Sequence, residues 1–185
     1  MRASAIEGLL AMSSSSSNRL AIIVMGVCGC GKSTFAAALA AERGLDLIDG
    51  DDLHGESAIA KMTRGEPLTD DDRWPWLDNV AAALADSVRS PRGIVIACSA
   101  LRRSYRDRIR AGSSGDLRFV FLDAARELIE ARMQQRRGHF MPQSLVESQF
   151  RTLEHPTAVE TDVVTIPAHL PLGAALKLAI TKLSV

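Results

Sequence analysis

The sequence predicts an α/β fold, a parallel sheet whose strands are joined by crossover helices. Two observations carry this. Short apolar runs alternate with helical patterns along the chain. One strand-to-helix junction also holds a complete phosphate-binding loop, because Gly26-Val27-Cys28-Gly29-Cys30-Gly31-Lys32-Ser33 fits G-x-x-x-x-G-K-[ST] without a gap.

In chain order, Leu20 to Met25 is the first strand, and it delivers the chain into that loop. Glycines let the loop curl so that its N–H groups face phosphate oxygens. The Ala-rich segment Thr34 to Ala41 starts a helix whose N-terminus points at the same anion. Lys32 then reaches the β- and γ-phosphates, and Ser33 holds Mg²⁺. Leu45 to Ile48 is the second strand, Gly93 to Cys98 the third, Leu117 to Leu122 the fourth and Asp162 to Ile166 the fifth. Leu77, Val80, Ala81, Leu84 and Val88 follow the i, i+3, i+4, i+7, i+11 pattern of a helix with one buried face. Leu172, Ala175, Leu176, Ala179, Ile180 and Leu183 repeat it near the C-terminus.

Two intervals break the alternation. More than forty residues, Asp49 to Pro91, separate the second and third strands, far more than one crossover helix needs. An insertion at about 52–90 overhangs the carboxyl edge of the sheet, where open α/β sheets bind ligands. At about 136–142, Arg136-Arg137-Gly138-His139-Phe140 joins two helical patterns and suits a lid over phosphates, or else a basic helix end that complements the macrodipole. Residues 1–18, with the run Ser13 to Ser17, read as a disordered leader, and a transit peptide is the lesser alternative. Residues 19–185 read as a single domain, consistent with a chain of 185 residues.

Composition narrows the function classes. Hydrophobic residues at 46% and charged residues at 24% are ordinary for a soluble globular protein. A formal net charge of zero supplies no global field to recruit nucleic acid or anionic membrane. No stretch approaches the roughly 18 apolar residues of a membrane span. Cys28, Cys30 and Cys98 form neither a disulfide framework nor a metal-ligand pattern, which points to a reducing, cytoplasmic setting. The only lysines are Lys32, Lys61, Lys177 and Lys182, so Lys32 and Lys61 stand out in an Arg-dominated chain.

The acceptor chemistry comes from the second strand, which ends in Asp49-Gly50-Asp51-Asp52. Phosphoryl transfer to a hydroxyl uses a carboxylate to orient and deprotonate the acceptor, and oxygen ligands for Mg²⁺ or its waters. Asp51 is the candidate for the first role. The alternative is a solvated turn with helix-capping aspartates. Arg73, in Asp70-Asp71-Asp72-Arg73-Trp74-Pro75-Trp76, either anchors an acidic substrate through a bidentate fork or pairs with its neighbouring aspartates. Arg102, Arg103, Arg106, Arg108 and Arg110 read mainly as a helix face, although the first two follow a strand end and could reach the site.

Taken together, these segments resemble the gluconokinases of the phosphate-loop kinases, relatives in fold of shikimate kinase and adenylate kinase. The resemblance covers roughly residues 20 to 183. It rests on Met25-Gly26-Val27, Asp49-Gly50-Asp51 with His54, Lys61-Met62 with Gly65-Glu66-Pro67-Leu68, Asp70-Asp71-Asp72-Arg73 with Pro75-Trp76-Leu77, Cys98-Ser99-Ala100-Leu101 with Tyr105-Arg106-Asp107, Arg137-Gly138-His139-Phe140, and Gln149-Phe150 to Leu153-Glu154. It implies a P-loop NTPase fold, three α/β/α layers around a five-stranded parallel sheet, and a homodimer. It also implies ATP- and Mg²⁺-dependent phosphorylation of D-gluconate at its 6-hydroxyl, giving 6-phosphogluconate for the pentose phosphate pathway.

Carried over residue by residue, Gly26, Val27, Cys28, Gly29, Cys30, Gly31, Lys32, Ser33 and Thr34 belong to the nucleotide site. Lys32, Asp51 and Arg137 take the catalytic roles, with Arg137 as a lid arginine. Asp51, His54, Lys61, Arg73, Ser99, Arg103 and Arg137 are the candidates for substrate, and Ser33 and Asp51 for metal. Cys28 and Cys30 depart from the family, where serines are usual, and Trp74 replaces a more familiar polar residue. A helix N-terminus lowers a thiol's pKa, so Cys30 is expected to be readily alkylated or oxidised. A kinase for another small hydroxy acid, shikimate-like or a different sugar acid, is the nearest alternative. A GTP-binding switch rests only on Asp52-Leu53-His54-Gly55 as D-x-x-G, with no N-K-x-D guanine signature.

Overall fold

The five expected strands all form, each within one residue of its expected bounds: β1 (Leu20–Met25), β2 (Asp46–Asp49), β3 (Ile94–Ala97), β4 (Asp116–Asp123) and β5 (Val163–Pro167). The structure is a computed structural model describing residues 20–87, 91–113, 116–135 and 143–183. The leader expected at 1–18 and the lid expected at 136–142, with Arg137, lie outside the described residues.

The strands make one sheet in the order β2-β3-β1-β4-β5, with every pairing parallel. β1 is central, so Val24 sits between Ala97 of β3 and Val120 of β4. Its carboxyl end therefore leaves the middle of the sheet, flanked by the ends of both neighbours, where parallel sheets open a ligand crevice.

Both faces of β1 are apolar, as a doubly covered parallel strand requires. Ile22 and Val24 join the core beneath α1 (Lys32–Arg43) and α7 (Leu172–Leu183). Ala21, Ile23 and Met25 join the core beneath α3 (Asp70–Ser87) and α4 (Arg103–Gly112). The result is three layers, α/β/α. The remaining described helices are α2 (Glu56–Thr63), α5 (Arg126–Gln135) and α6 (Gln143–Thr152).

The long interval after β2 resolves into a short 3-10 turn, Gly50–Leu53, followed by α2 and α3. Thr69 and Asp72 start α3 with a reciprocal cap. Thr69 N–H donates to Asp72 Oδ2 at 2.9 Å, and Asp72 N–H donates to Thr69 Oγ1 at 3.3 Å. Three aspartates in the first turn, Asp70, Asp71 and Asp72, complement the helix dipole. Leu77, Val80, Ala81 and Leu84 are buried as the periodicity predicts, while Val88 lies outside the described residues. In the C-terminal stripe Ala175 and Ala179 are buried and Leu176, Ile180 and Leu183 pack against the core. Leu172 is a correction: at the first turn of α7 it stays exposed, on the wall of an open cavity rather than in the core.

The arginine cluster is not simply a solvated helix face. Arg106 is 1% exposed, and its guanidinium grips the Glu160 carboxylate through two bonds of 2.7 Å. It also donates to the carbonyls of Ala100, Leu101 and Glu154. Arg110 adds Asp162 and a third bond to Glu160. Together they tie the approach to β5 to α4, and they hold Ala100, whose left-handed backbone (φ 41°) is costly for a residue with a Cβ.

Candidate active site

The phosphate loop follows β1 directly. Gly26, Gly29 and Gly31 hold φ values of 140°, 80° and 105°, a region glycine enters without a Cβ penalty. Gly31 is also the N-cap of α1, so the helix begins at Lys32 with its first N–H groups turned toward the loop. Lys32 Nζ donates to the Val27 carbonyl at 3.2 Å, folded across the loop it serves. Cys28 N–H donates to Gln149 Oε1 of α6 at 2.6 Å. A side-chain oxygen thus already satisfies one of the loop's donors.

The second strand brings two aspartates alongside. Ser33 Oγ donates to Asp49 Oδ2 at 3.2 Å, while Asp49 Oδ1 accepts the Asp51 N–H at 3.1 Å. Asp49 therefore caps the turn and meets the phosphate-loop serine with the same carboxylate, leaving Asp51 exposed. Gly50 makes this possible: a Cβ there would lie 2.5 Å from the Ala97 carbonyl oxygen, so only glycine lets the turn press against β3. Trp76 Nε1 locks the turn from α3 by donating to Gly50 O at 2.6 Å.

His54 stacks on the Trp76 ring, with centroids 4.3 Å apart and planes inclined by 11°. Burial lowers its pKa, Asp51 acts in the opposite direction, and Arg73 adds to the lowering. The ring is held neutral between the acidic turn and the arginine. Its Nδ1 is buried and meets no protein partner among the described residues, leaving a polar atom for a ligand hydroxyl.

Arg73, from the first turns of α3, donates to Tyr105 Oη at 3.3 Å and lies 3.7 Å from Asp70. Asp70 in turn accepts from Tyr105 Oη and from Arg102. Lys61 is committed elsewhere: its ammonium pairs with Asp72 at 2.6 Å and ties α2 to the cap of α3. Its hydrogen bond, with those of Thr69, lowers the Asp72 carboxyl to about 2.

On the other side of the loop is a cavity of about 350 Å³, bounded by Gly29, Thr34, Arg132, Pro167, Ala168 and Leu170. Arg132 of α5 bridges its walls, donating to Cys30 O and Ala168 O at 2.7 Å each.

A phosphate loop, a flanking carboxylate pair and an arginine site thus share one sheet edge. The family model described as an AAA domain matches residues 22–156. The thermosensitive gluconokinase of Escherichia coli is 46% identical over 144 residues, which cover 78% of this chain and 76% of that one. The chain belongs to the gluconokinase family. A gluconokinase structure from Sinorhizobium meliloti superposes with a TM-score of 0.78 at 43% identity, covering 90% of this chain and 93% of its own. Shikimate kinase from Aquifex aeolicus, at 14% identity and a TM-score of 0.54, shares the fold alone.

Within this gluconokinase fold, the structure gathers Gly26 to Thr34, Asp51, His54 and Arg73 around one edge. Ser99 reaches it through its backbone, accepting the Gly26 N–H at 3.3 Å. Arg103 does not join: its N–H donates to Glu154 and its exposed guanidinium lies 3.6 Å from Asp107. Arg102, one residue earlier, takes the place beside Arg73. Trp74 edges onto the Tyr105 ring at 5.6 Å and lies beneath Arg108, which accounts for an aromatic residue there.

Cys30 reverses its expectation. It is 3% exposed, and burial raises its pKa more than nearby Lys32 lowers it, so the thiol is packed and protonated. Asp49, Asp70, Tyr105, Arg132 and Gln149 were not singled out from the sequence as site residues. Asp49 carried a signal as the carboxylate beside Asp51, and Asp70, Tyr105 and Gln149 lay in segments that carry the family resemblance, while Arg132 carried none.

Proposed function

We propose that this enzyme transfers the γ-phosphoryl group of ATP to the 6-hydroxyl of D-gluconate. The observation that carries the proposal is the placement of Asp51 beside the phosphate loop, with His54 and Arg73 following on the acceptor side. Asp51 orients the acceptor hydroxyl and takes its proton, and His54 Nδ1 bonds a hydroxyl further along the chain. Arg73 binds the carboxylate at the far end. Lys32 and the loop N–H groups carry the charge of the transferring phosphoryl.

The cavity beside Arg132 suits a nucleobase, because a planar guanidinium stacks on a flat ring and the volume lies within the range of small-ligand pockets. Mg²⁺ fits the donor set: Ser33 Oγ and the Asp49 and Asp51 carboxylates are hard oxygen ligands, in the sparse arrangement that leaves room for waters and phosphate oxygens. When bound it offsets phosphate charge. The family resemblance supports a homodimer in the cytoplasm, with the product entering the pentose phosphate pathway. No helix among the described residues is long and apolar enough to cross a membrane.

The test is a coupled assay of ADP release with D-gluconate, other aldonates, shikimate and water as acceptors. Gluconate should stand well above water. If another acid succeeds where gluconate does not, the substrate assignment fails and the fold-level kinase reading survives. Asp51→Asn should depress turnover strongly while ATP binding persists, and Arg73→Ala should chiefly raise KM for the acid.

A further inference from the structure

The acid end of the site contains more than Arg73. Four side chains from two elements form a continuous relay: Arg102 donates to Asp70 Oδ2, Tyr105 Oη donates to Asp70 Oδ1 at 2.5 Å, and Arg73 donates to Tyr105 Oη at 3.3 Å. The guanidinium carbons of Arg73 and Arg102 both lie 5.8 Å from the Tyr105 ring centroid, so the two groups gather around one ring. Tyr105 is buried, and burial together with Asp70 raises its pKa, so its hydroxyl keeps the proton it donates.

The relay is unevenly committed. Arg73 spends one long hydrogen bond on it among the described residues, and its guanidinium has five donors. Among the described residues Arg102 is bonded through Nη1 alone, and its side chain is 39% exposed. Arg73, Arg102 and Asp70 together carry one net positive charge, which matches a single carboxylate. A purely structural ion pair would need one arginine for one aspartate. Here a second guanidinium is held close by, with most of its donors open among the described residues.

We propose that Arg102 and Arg73 together form the cradle for the acceptor's carboxylate, and that Asp70 and Tyr105 are positioning residues that hold the two guanidinium groups in place beside it. The proposal rests on the reading above that the acceptor is a sugar acid. It adds a specificity element: the relay selects a singly charged acid over the neutral polyol of the same carbon chain. Planar bidentate recognition makes Arg102→Lys a poor substitute, because an ammonium keeps the charge and loses the fork.

Steady-state kinetics on the full chain, with ATP and either D-gluconate or the neutral D-glucitol, test it. Arg102→Gln and Tyr105→Phe should each raise KM for gluconate by about tenfold or more, with kcat and KM for ATP held within about twofold. Arg102→Lys should recover part of the loss. The preference for gluconate over glucitol in kcat/KM should shrink by the same factor. Tyr105→Phe removes a single oxygen and keeps the ring, so it reports even if a charge substitution fails to fold.

If both variants leave KM for gluconate unchanged while lowering the melting temperature, the relay is only a tie between α3 and α4 and the proposal is overturned. An equal loss for glucitol overturns it too. If the wild type shows no turnover with gluconate, the substrate reading has failed separately. Calorimetric titration with shikimate and other aldonates then decides: binding weakened by Arg102→Gln upholds the cradle, and no binding of any monocarboxylate overturns it.

Discussion

Gly50→Ala tests whether the backbone contact behind Asp51 sets the position of the proposed base. The added Cβ would stand 2.5 Å from the Ala97 carbonyl oxygen and 3.2 Å from Cys98 Cβ. A relaxed carbon–oxygen contact lies near ~3.3 Å, so the turn must retreat from β3 by roughly 0.8 Å. β3 cannot yield, because Ala97 is paired with Val24 on one side and Asp49 on the other. The displacement therefore falls on Gly50–Leu53, which carries Asp51, and it strains the 2.6 Å bond from Trp76 Nε1 to Gly50 O. Misplacing a reacting group by about 1 Å costs about 100-fold in rate. Overpacking of this kind costs about 1–3 kcal/mol.

The expected outcome is a fall in kcat of roughly 30- to 100-fold, with KM for ATP nearly unchanged because the phosphate loop is untouched. The melting temperature should drop by roughly 3–10 °C at this chain length. Coupled ADP-release kinetics and a thermal melt read both. Gly173→Ala is the control: nothing lies within 4 Å of its added Cβ, so activity should persist. That control should gain about 0.5 kcal/mol of stability from a less flexible unfolded chain. A folded Gly50→Ala with wild-type kcat would refute the claim that this approach to β3 places Asp51.

Glu160→Gln leaves the Arg106 guanidinium buried without its counter-charge and should cost about 3–5 kcal/mol in urea unfolding. The Arg106 bonds hold the Glu160 carboxyl at about 2, below its unfolded value. Its stabilisation is therefore complete above the ordinary carboxylate range and is lost as pH falls toward about 2, so wild type should lose more stability across that acid window than the variant. Equal pH slopes would refute this. Cys30 and Cys98 should resist a thiol reagent in the folded protein, since burial raises both and pushes Cys98 to about 12. Mass spectrometry showing either one modified before unfolding would contradict it. Gln149→Ala removes the oxygen that occupies the Cys28 N–H, so ATP should bind more tightly by about 2- to 10-fold in a calorimetric titration. Unchanged affinity would mean that Gln149 does not compete with phosphate.

The layers of the fold were legible because their causes are local. Alternating apolar runs placed all five strands, and the i, i+3, i+4 stripe at Leu77 to Leu84 placed the buried face of α3. The phosphate loop was legible for the same reason, as its glycines, Lys32 and Ser33 act through backbone curvature within a few residues. Arg106 was not. Its burial depends on Glu160, 54 residues away, arriving at the head of β5, and no local pattern distinguishes it from the exposed Arg108 two residues later. Cys30 failed differently: the loop packs the sulfur inside, and the cost of burying a thiolate outweighs the pull of Lys32 and of the helix N-terminus.

By itself, then, the sequence determined that this chain grips nucleotide phosphates on a parallel sheet and presents carboxylates beside them, because spacing along the chain dictates both. It named Arg73 and left open whether a ligand or a neighbouring aspartate would claim it. Tertiary structure decided the rest. It stacked His54 on Trp76, brought Asp70, Tyr105 and Arg102 from two elements into one relay with Arg73, and set Asp49 against Ser33. These contacts span up to 35 residues of sequence, and they exist only because the sheet order β2-β3-β1 brings the ends of three strands to one edge.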